Sequence, residues 1–192
     1  MASEEGAGAG RRTDGVSELP VIETERLRLR ERTAGDAESL FPTLSDADLM
    51  TWWSRAPFAT VEEVRENFAP GELWSGWHAW AITRKGDDRA IGYVATGEKR
   101  QGKVSEIGYV LERAAWGSGI AREAVSALIG HLFASGQRRV FADTDPDNKA
   151  SNALLTRLGF TLEGRLRGEW ETHIGVRDSL IWGLLAEEWK QS

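Results

Sequence analysis

The sequence predicts a mixed α/β domain of the α+β kind, with a central, mostly antiparallel sheet flanked by helices. Three observations carry that prediction. Helix-period and strand-period segments both occur, but not as a strict strand–helix repeat. Three strand-like runs follow one another between His78 and Leu111, joined by tight turns, which is the mark of an antiparallel meander. Two helical segments then flank a single strand, "RRVFADT", before two closing strands.

Taken in order, residues 1–20 ("MASEEGAGAGRRTDGVSELP") are rich in Gly, Ala and Ser and carry mixed charges without a hydrophobic segment. They read as a flexible tail, neither secretory signal nor anchor, ahead of a single domain over 21–192. Leu27 and Leu29 alternate with Arg26, Arg28 and Arg30 as a strand with one buried face. "TAGDAESLFPTL" starts a helix whose length Pro42 should limit. Thr60-Val-Glu-Glu63 has capping-box spacing for a second helix. In the meander, Gly86-Asp87-Asp88 and Arg100-Gln101-Gly102 mark the turns. Ala121, Ala124, Val125, Leu128 and Leu132 recur at helical spacing as far as Gly136. The next helix is capped by Asp147 or Asn148, with Ala150, Ala153, Leu154 and Leu158 expected inward and Gly159 at its end. The closing strands lie around Thr161–Trp170 and Asp178–Leu185.

The composition narrows the function. Lys and Arg number 24 against 30 Asp and Glu, a net charge of −6, which argues against a broad nucleic-acid footprint and suits a cationic acceptor. With no cysteine there is no disulfide, thiolate metal site or cysteine nucleophile, as is compatible with a reducing cytoplasm. No apolar run reaches the roughly 20 residues that span a bilayer, so no membrane partner is expected. His78, His131 and His173 lack metal-ligand spacing, and no metal is expected.

Chemistry concentrates at "YVLERAAWGSGIAREAV". Gly117 and Gly119 let successive amides point into one hollow at a helix N-terminus, a place suited to phosphate or pyrophosphate. A nucleotide-triphosphate loop would need a Lys after the second glycine, and none follows. A dinucleotide fold would need a third glycine where Arg122 stands, and no second βαβ half follows. The third reading, the pyrophosphate site of an acyl-CoA-dependent transferase, rests on a resemblance that the flanking residues carry.

"EIGYVLERAAWGSGIAREAV" followed by "DPDNKASNALLTRLGFTLEGRLRGEW" resembles the GNAT N-acyltransferases, in their RimJ/RimL-like branch. The resemblance runs from about Thr24 to Trp189. It implies an acetyl-CoA-dependent N-acetyltransferase in which an amine attacks the thioester directly. The backbone of Tyr109, Val110 and Leu111 would hold the pantetheine arm, and Trp116, Gly117, Ser118, Gly119, Ile120 and Ala121 the pyrophosphate. Ser151 matches the serine of the family's N-x-x-S-N motif and would protonate the departing sulfur, or else only support its helix. Asn148 would contact the CoA arm and can cap the helix as well. Glu106 or Glu169, with Glu171 in reserve, would take the amine's proton, directly or through water. Of the tryptophans, Trp52, Trp53, Trp74, Trp77 and Trp80 cluster; Trp80 reads as core, and Trp52 or Trp53 as wall of the acceptor pocket. The acceptor itself, a protein N-terminus or a small amine, is not legible. A CoA-binding regulator without turnover and a transferase using another acyl-CoA such as succinyl-CoA stand as alternatives, and a homodimer stays open as the assembly.

Overall fold

Leu27 and Leu29 are fully buried and Arg28 is exposed, the two-residue period of a strand with one covered face. Farther into the sheet both faces are covered, and residues 79–83 are buried without a break. The structure, a computed structural model, describes residues 19–69, 76–100 and 102–190. Its strands are β1 (Ile22–Glu23), β2 (Leu27–Glu31), β3 (Trp77–Arg84), β4 (Asp87–Arg100), β5 (Val104–Leu111), β6 (Arg139–Thr144), β7 (Thr161–Thr172) and β8 (Gly175–Leu185). They form one sheet in the order β1-β2-β3-β4-β5-β6-β8-β7. Every described pairing is antiparallel except that of β5 with β6. Parallel neighbours need a crossover, and a helix supplies it.

That helix is α3 (Ile120–Ala134); α1 (Ala37–Leu44), α2 (Val61–Phe68) and α4 (Lys149–Arg157) complete the set. Alternation along the strands divides the core in two. Trp80, Ile82, Ile107 and Val140 pack with α3 and with Leu155 and Leu158 at α4. Ala79, Ala81, Tyr93 and Val110 face α1 and α2 on the other side. Trp80 is core, as expected, and its Nε1–H donates to the Pro20 carbonyl at 2.9 Å.

Several local expectations change. At the end of the expected tail, Leu19 packs against the first core and Pro20 accepts from Trp80; residues 1–18 lie outside the described residues, as do Trp74 and Gln101. Pro42 does not end α1, which continues to Leu44. Proline removes one N–H bond near the helix end, and burial of Leu40 and Leu44 holds the turn across it. In α2 the Thr60 hydroxyl accepts from Glu63 N–H at 3.2 Å, while the Glu63 carboxylate reaches back to Ala59 N–H at 2.9 Å, one residue earlier than the reciprocal box requires. The inner face of α4 is Leu155 and Leu158 with Leu154 beside them, whereas Ala150 and Ala153 are exposed. The larger side chains take the buried stripe because they remove more apolar area from water.

Candidate active site

The site begins where two strands part. β5 and β6 pair only through Val104↔Arg139, Ser105↔Val140 and Glu106↔Phe141. Both strands run on, β5 to Leu111 and β6 to Thr144, without pairing each other. One edge of β5 therefore turns away from the ladder while its other edge stays bonded to β4 through Val94↔Tyr109 and Gly92↔Leu111. A cleft of about 380 Å³ occupies the gap.

The cleft opens on both faces of the sheet. On the α1/α2 face its lining includes Glu106, Asp143 and Asp145 with the indoles of Trp52, Trp53 and Trp77. Trp77 lies across Gly97, where a Cβ would stand 2.6 Å from the indole Cε2. Gly97 is the register partner of both Trp77 on β3 and Glu106 on β5, so the indole occupies the row that leads to Glu106. Trp170 donates from Nε1 to Asp143 at 3.0 Å, and Asp143 also accepts from the buried Ser179 hydroxyl. Arg177 holds Asp145 at 2.7 Å and Asp147 at 2.6 Å, with its guanidinium 5.7 Å from the Trp52 ring centre. Burial disfavours charge on Asp145, but the hydrogen bonds from Arg177 and the Asp147 amide outweigh it and hold the carboxyl below the usual range. On this face Glu106, Asp143 and Asp145 set three carboxylates against the one guanidinium of Arg177, so it is anionic.

On the α3/α4 face the lining is Tyr109, Thr144, Asn148 and Ser151. Asn148 caps α4, its side-chain oxygen accepting from Ser151 N–H at 3.2 Å. Asn152 was not anticipated. Its Oδ1 accepts from Thr144 at 2.6 Å and its Nδ2 donates to the Asp145 carbonyl at 3.2 Å, which locks α4 and Ser151 to the end of β6. Burial pushes the Tyr109 hydroxyl up to about 12, with the neighbouring Ser151 hydroxyl working in the opposite direction.

Beyond the open end of β5 lies the glycine turn. Gly117 and Gly119 have φ of 71° and 81°, left-handed values that favour glycine, and Gly119 leads into α3. The first helical bond of α3 runs from Glu123 N–H to the Gly119 carbonyl at 3.0 Å, so the amides just before it point out of the helix end. Trp116 folds back over β5, its Nε1–H bonded to the Leu111 carbonyl at 2.9 Å. Arg26 braces the turn from β2's approach: it donates to the Ser118 carbonyl at 3.0 Å and pairs with Glu123 at 2.6 Å.

The sequence-read residues thus separate into two groups. Glu106, Tyr109, Asn148, Ser151, Trp52 and Trp53 meet in the cleft. Trp116 to Ala121 form the turn at its end, and Val110 and Leu111 are buried beside it on β5. Glu169 and Glu171 do not join them. Neighbouring residues of a strand point to opposite faces; Trp170 and Thr172 take the cleft side of β7, and both glutamates are exposed away from it. The described residues hold no group of three or more His, Cys, Asp or Glu side chains placed to bind a metal ion, and no described helix is long and apolar enough to cross a membrane.

Known proteins resemble this chain in sequence and in fold. Residues 26–161 match the model of the acetyltransferase (GNAT) domain. The uncharacterized N-acetyltransferase YoaA of Bacillus subtilis is 32% identical over 156 residues, which cover 78% of this chain and 87% of that protein. The ribosomal-protein-serine acetyltransferase of Escherichia coli is 39% identical over 83 residues, 42% of this chain and 46% of that one. A crystal structure of a probable GNAT-family acetyltransferase from Chromobacterium violaceum superposes with a TM-score of 0.81 at 27% identity, covering 98% of this chain and 97% of its own. The parted strands, the glycine turn and these likenesses agree: the chain belongs to the GNAT family and is an N-acetyltransferase.

Proposed function

We propose that the protein moves the acetyl group of acetyl-CoA to a primary amine by direct attack, with no covalent intermediate on the chain. The observation that supports this best is the parting of β5 from β6, which sets Glu106 on one face of a through-cleft and Ser151 on the other. An extended thioester arm fits there as a substitute strand, using the edge of β5 that β6 has left. The pyrophosphate fits the amides of 116–121 at the positive end of α3.

Within that reading each residue has one task. Glu106 receives the amine's proton, directly or through a water, and is preferred to Glu169 because it lines the cleft. Ser151 donates a hydrogen bond to sulfur as the carbon–sulfur bond breaks. Indoles and carboxylates together favour an acceptor that arrives as an ammonium ion. Both a protein N-terminus and a small amine meet that description, and the similarity to a ribosomal-protein-serine acetyltransferase is a reason to include N-terminal peptides among the candidates.

The test is a screen of N-terminal peptides and small amines with acetyl- and succinyl-CoA, following thioester consumption. Acetyl transfer to an amine is the expected result. CoA binding with no turnover of either thioester would instead make the protein a CoA-binding regulator, and faster succinyl transfer would replace the acyl donor.

A further inference from the structure

Among the polar groups on the α3/α4 side of the cleft, most are occupied. The Thr144 hydroxyl donates to Asn152 at 2.6 Å and accepts from Trp182 at 3.0 Å. The Asn148 side-chain oxygen accepts from Ser151 N–H. The Tyr109 hydroxyl differs. It is buried, faces Ser151, and has no hydrogen-bond partner of ordinary geometry among the described residues. A buried hydroxyl without a partner is costly, and phenylalanine would fill the same space without that cost. The phenol oxygen therefore calls for a role in the site.

We infer that Tyr109 is a positioning residue for Ser151: its O–H donates to the Ser151 oxygen and so turns the Ser151 proton towards the sulfur in the cleft. This rests on the proposed function, in which Ser151 meets the departing sulfur. A serine in the first turn of a helix has a competing choice, the carbonyl four residues back. Three hydroxyls among the described residues make that choice: Thr156 donates to the Asn152 carbonyl at 2.9 Å, Ser45 to the Phe41 carbonyl at 2.8 Å and Thr51 to the Ala47 carbonyl at 2.8 Å. A donor at Tyr109 occupies the Ser151 oxygen from behind and favours the cleft-facing rotamer.

The proton count follows from acidity. As the carbon–sulfur bond breaks, its electron pair goes to sulfur, whose thiol has a pKa of about 8.5 by analogy with cysteine. The Tyr109 phenol stands near 12, so it is too weak an acid to be consumed by that thiolate. Both hydroxyls keep their protons and stabilise the thiolate by hydrogen bonding alone. Sulfur takes its proton from water as CoA leaves.

The test uses CoA itself and needs no acceptor. CoA bound to the protein is titrated with alkali, and thiolate formation is read by difference ultraviolet absorbance against dethio-CoA. In the parent protein the bound thiol should ionise about tenfold or more readily than free CoA, a pKa lower by about one. Tyr109→Phe and Ser151→Ala should each shift it back up. The double variant should match Ser151→Ala, because Tyr109 acts only through Ser151. A Tyr109→Phe protein whose bound thiol titrates as in the parent would overturn the inference, and so would effects of the two changes that simply add. Ser151→Ala with parental titration would overturn the role given to Ser151, and failure of CoA to bind the parent would overturn the CoA reading as a whole.

Discussion

One methyl group at Gly97 should reshape the acceptor face. A Cβ there would stand 2.6 Å from Trp77 Cε2, 2.7 Å from Cδ2 and 2.9 Å from Nε1. Non-bonded carbons settle about 3.5–4.0 Å apart, so the indole must withdraw by roughly 1 Å. Trp77 packs against the core that α1 and α2 cover, so the movement either strains that packing or pushes the indole into the cleft. Overpacking of this kind costs about 1–3 kcal/mol, which for a chain of this length lowers the melting temperature by roughly 2–4 °C per kcal/mol. Since Trp77, Gly97 and Glu106 share one row of the sheet, the movement also displaces the wall beside Glu106. Gly97→Ala should therefore melt earlier and raise KM for the amine acceptor, with KM for acetyl-CoA unchanged. Thermal unfolding and initial-rate kinetics measure both effects. In a Trp77→Ala background the same methyl should cost almost nothing, because the clash is gone. Parental melting and acceptor KM in the single variant, or an equal cost in both backgrounds, would refute the reasoning.

Other substitutions address other parts of the site. Gly119→Val forces a branched side chain onto a φ of 81° and into the turn, 3.4 Å from Arg26 Nη2 at its Cβ; isothermal titration should show CoA affinity reduced by at least about tenfold in the folded variant. Glu106→Gln keeps size and hydrogen bonding but cannot accept the amine's proton, so pH–rate profiles should show a loss of roughly 10²-fold at neutral pH that recovers in part at high pH. Glu169→Gln should keep the parental profile, and the reverse pattern would restore Glu169 as the base. Arg177→Ala removes the partner that lowers the Asp145 pKa, so the stabilisation it contributes is present above the ordinary aspartate pKa of about 4 and lost as pH falls through the lower folded value. Melting curves should show the variant weaker than the parent at pH 7, with the gap closing below about pH 4.

The legible features were local ones. Asn148 as cap of α4, Gly117 and Gly119 before α3, and Trp80 in the core all follow from contacts within a few residues or from strand period. The parting of β5 and β6 was hidden because "SEIGYVL" and "RRVFADT" have the same pattern whether their edges are paired or not. Glu169 was misplaced for a related reason. Its period sets it opposite Trp170, but which of the two faces the cleft depends on the β7–β8 register, with its irregularity between Leu166 and Trp170. Trp77 over Gly97, and the Tyr109 hydroxyl beside Ser151, join residues distant in the chain. Nothing in either segment alone announces the meeting.

The three residue pairs that join β5 to β6 also make the sheet a pair of panels. The first core runs beneath both, since Ile107, Leu128, Val140 and Leu184 belong to it, while the second draws its strand members from β3, β4 and β5. The larger core thus ties the two panels along one face, and on the other the Arg177 guanidinium reaches across to Trp52. Local opening concentrates where buried apolar contact is sparse, so amide exchange at 107–111 and 142–144 should outpace that of the strand centres. A ligand seated between the panels would act as a staple across that seam, slowing exchange on both sides and raising the melting temperature with its concentration. Cohesion of the two panels would then depend on occupancy, and the protein would be firmest while it holds its substrate.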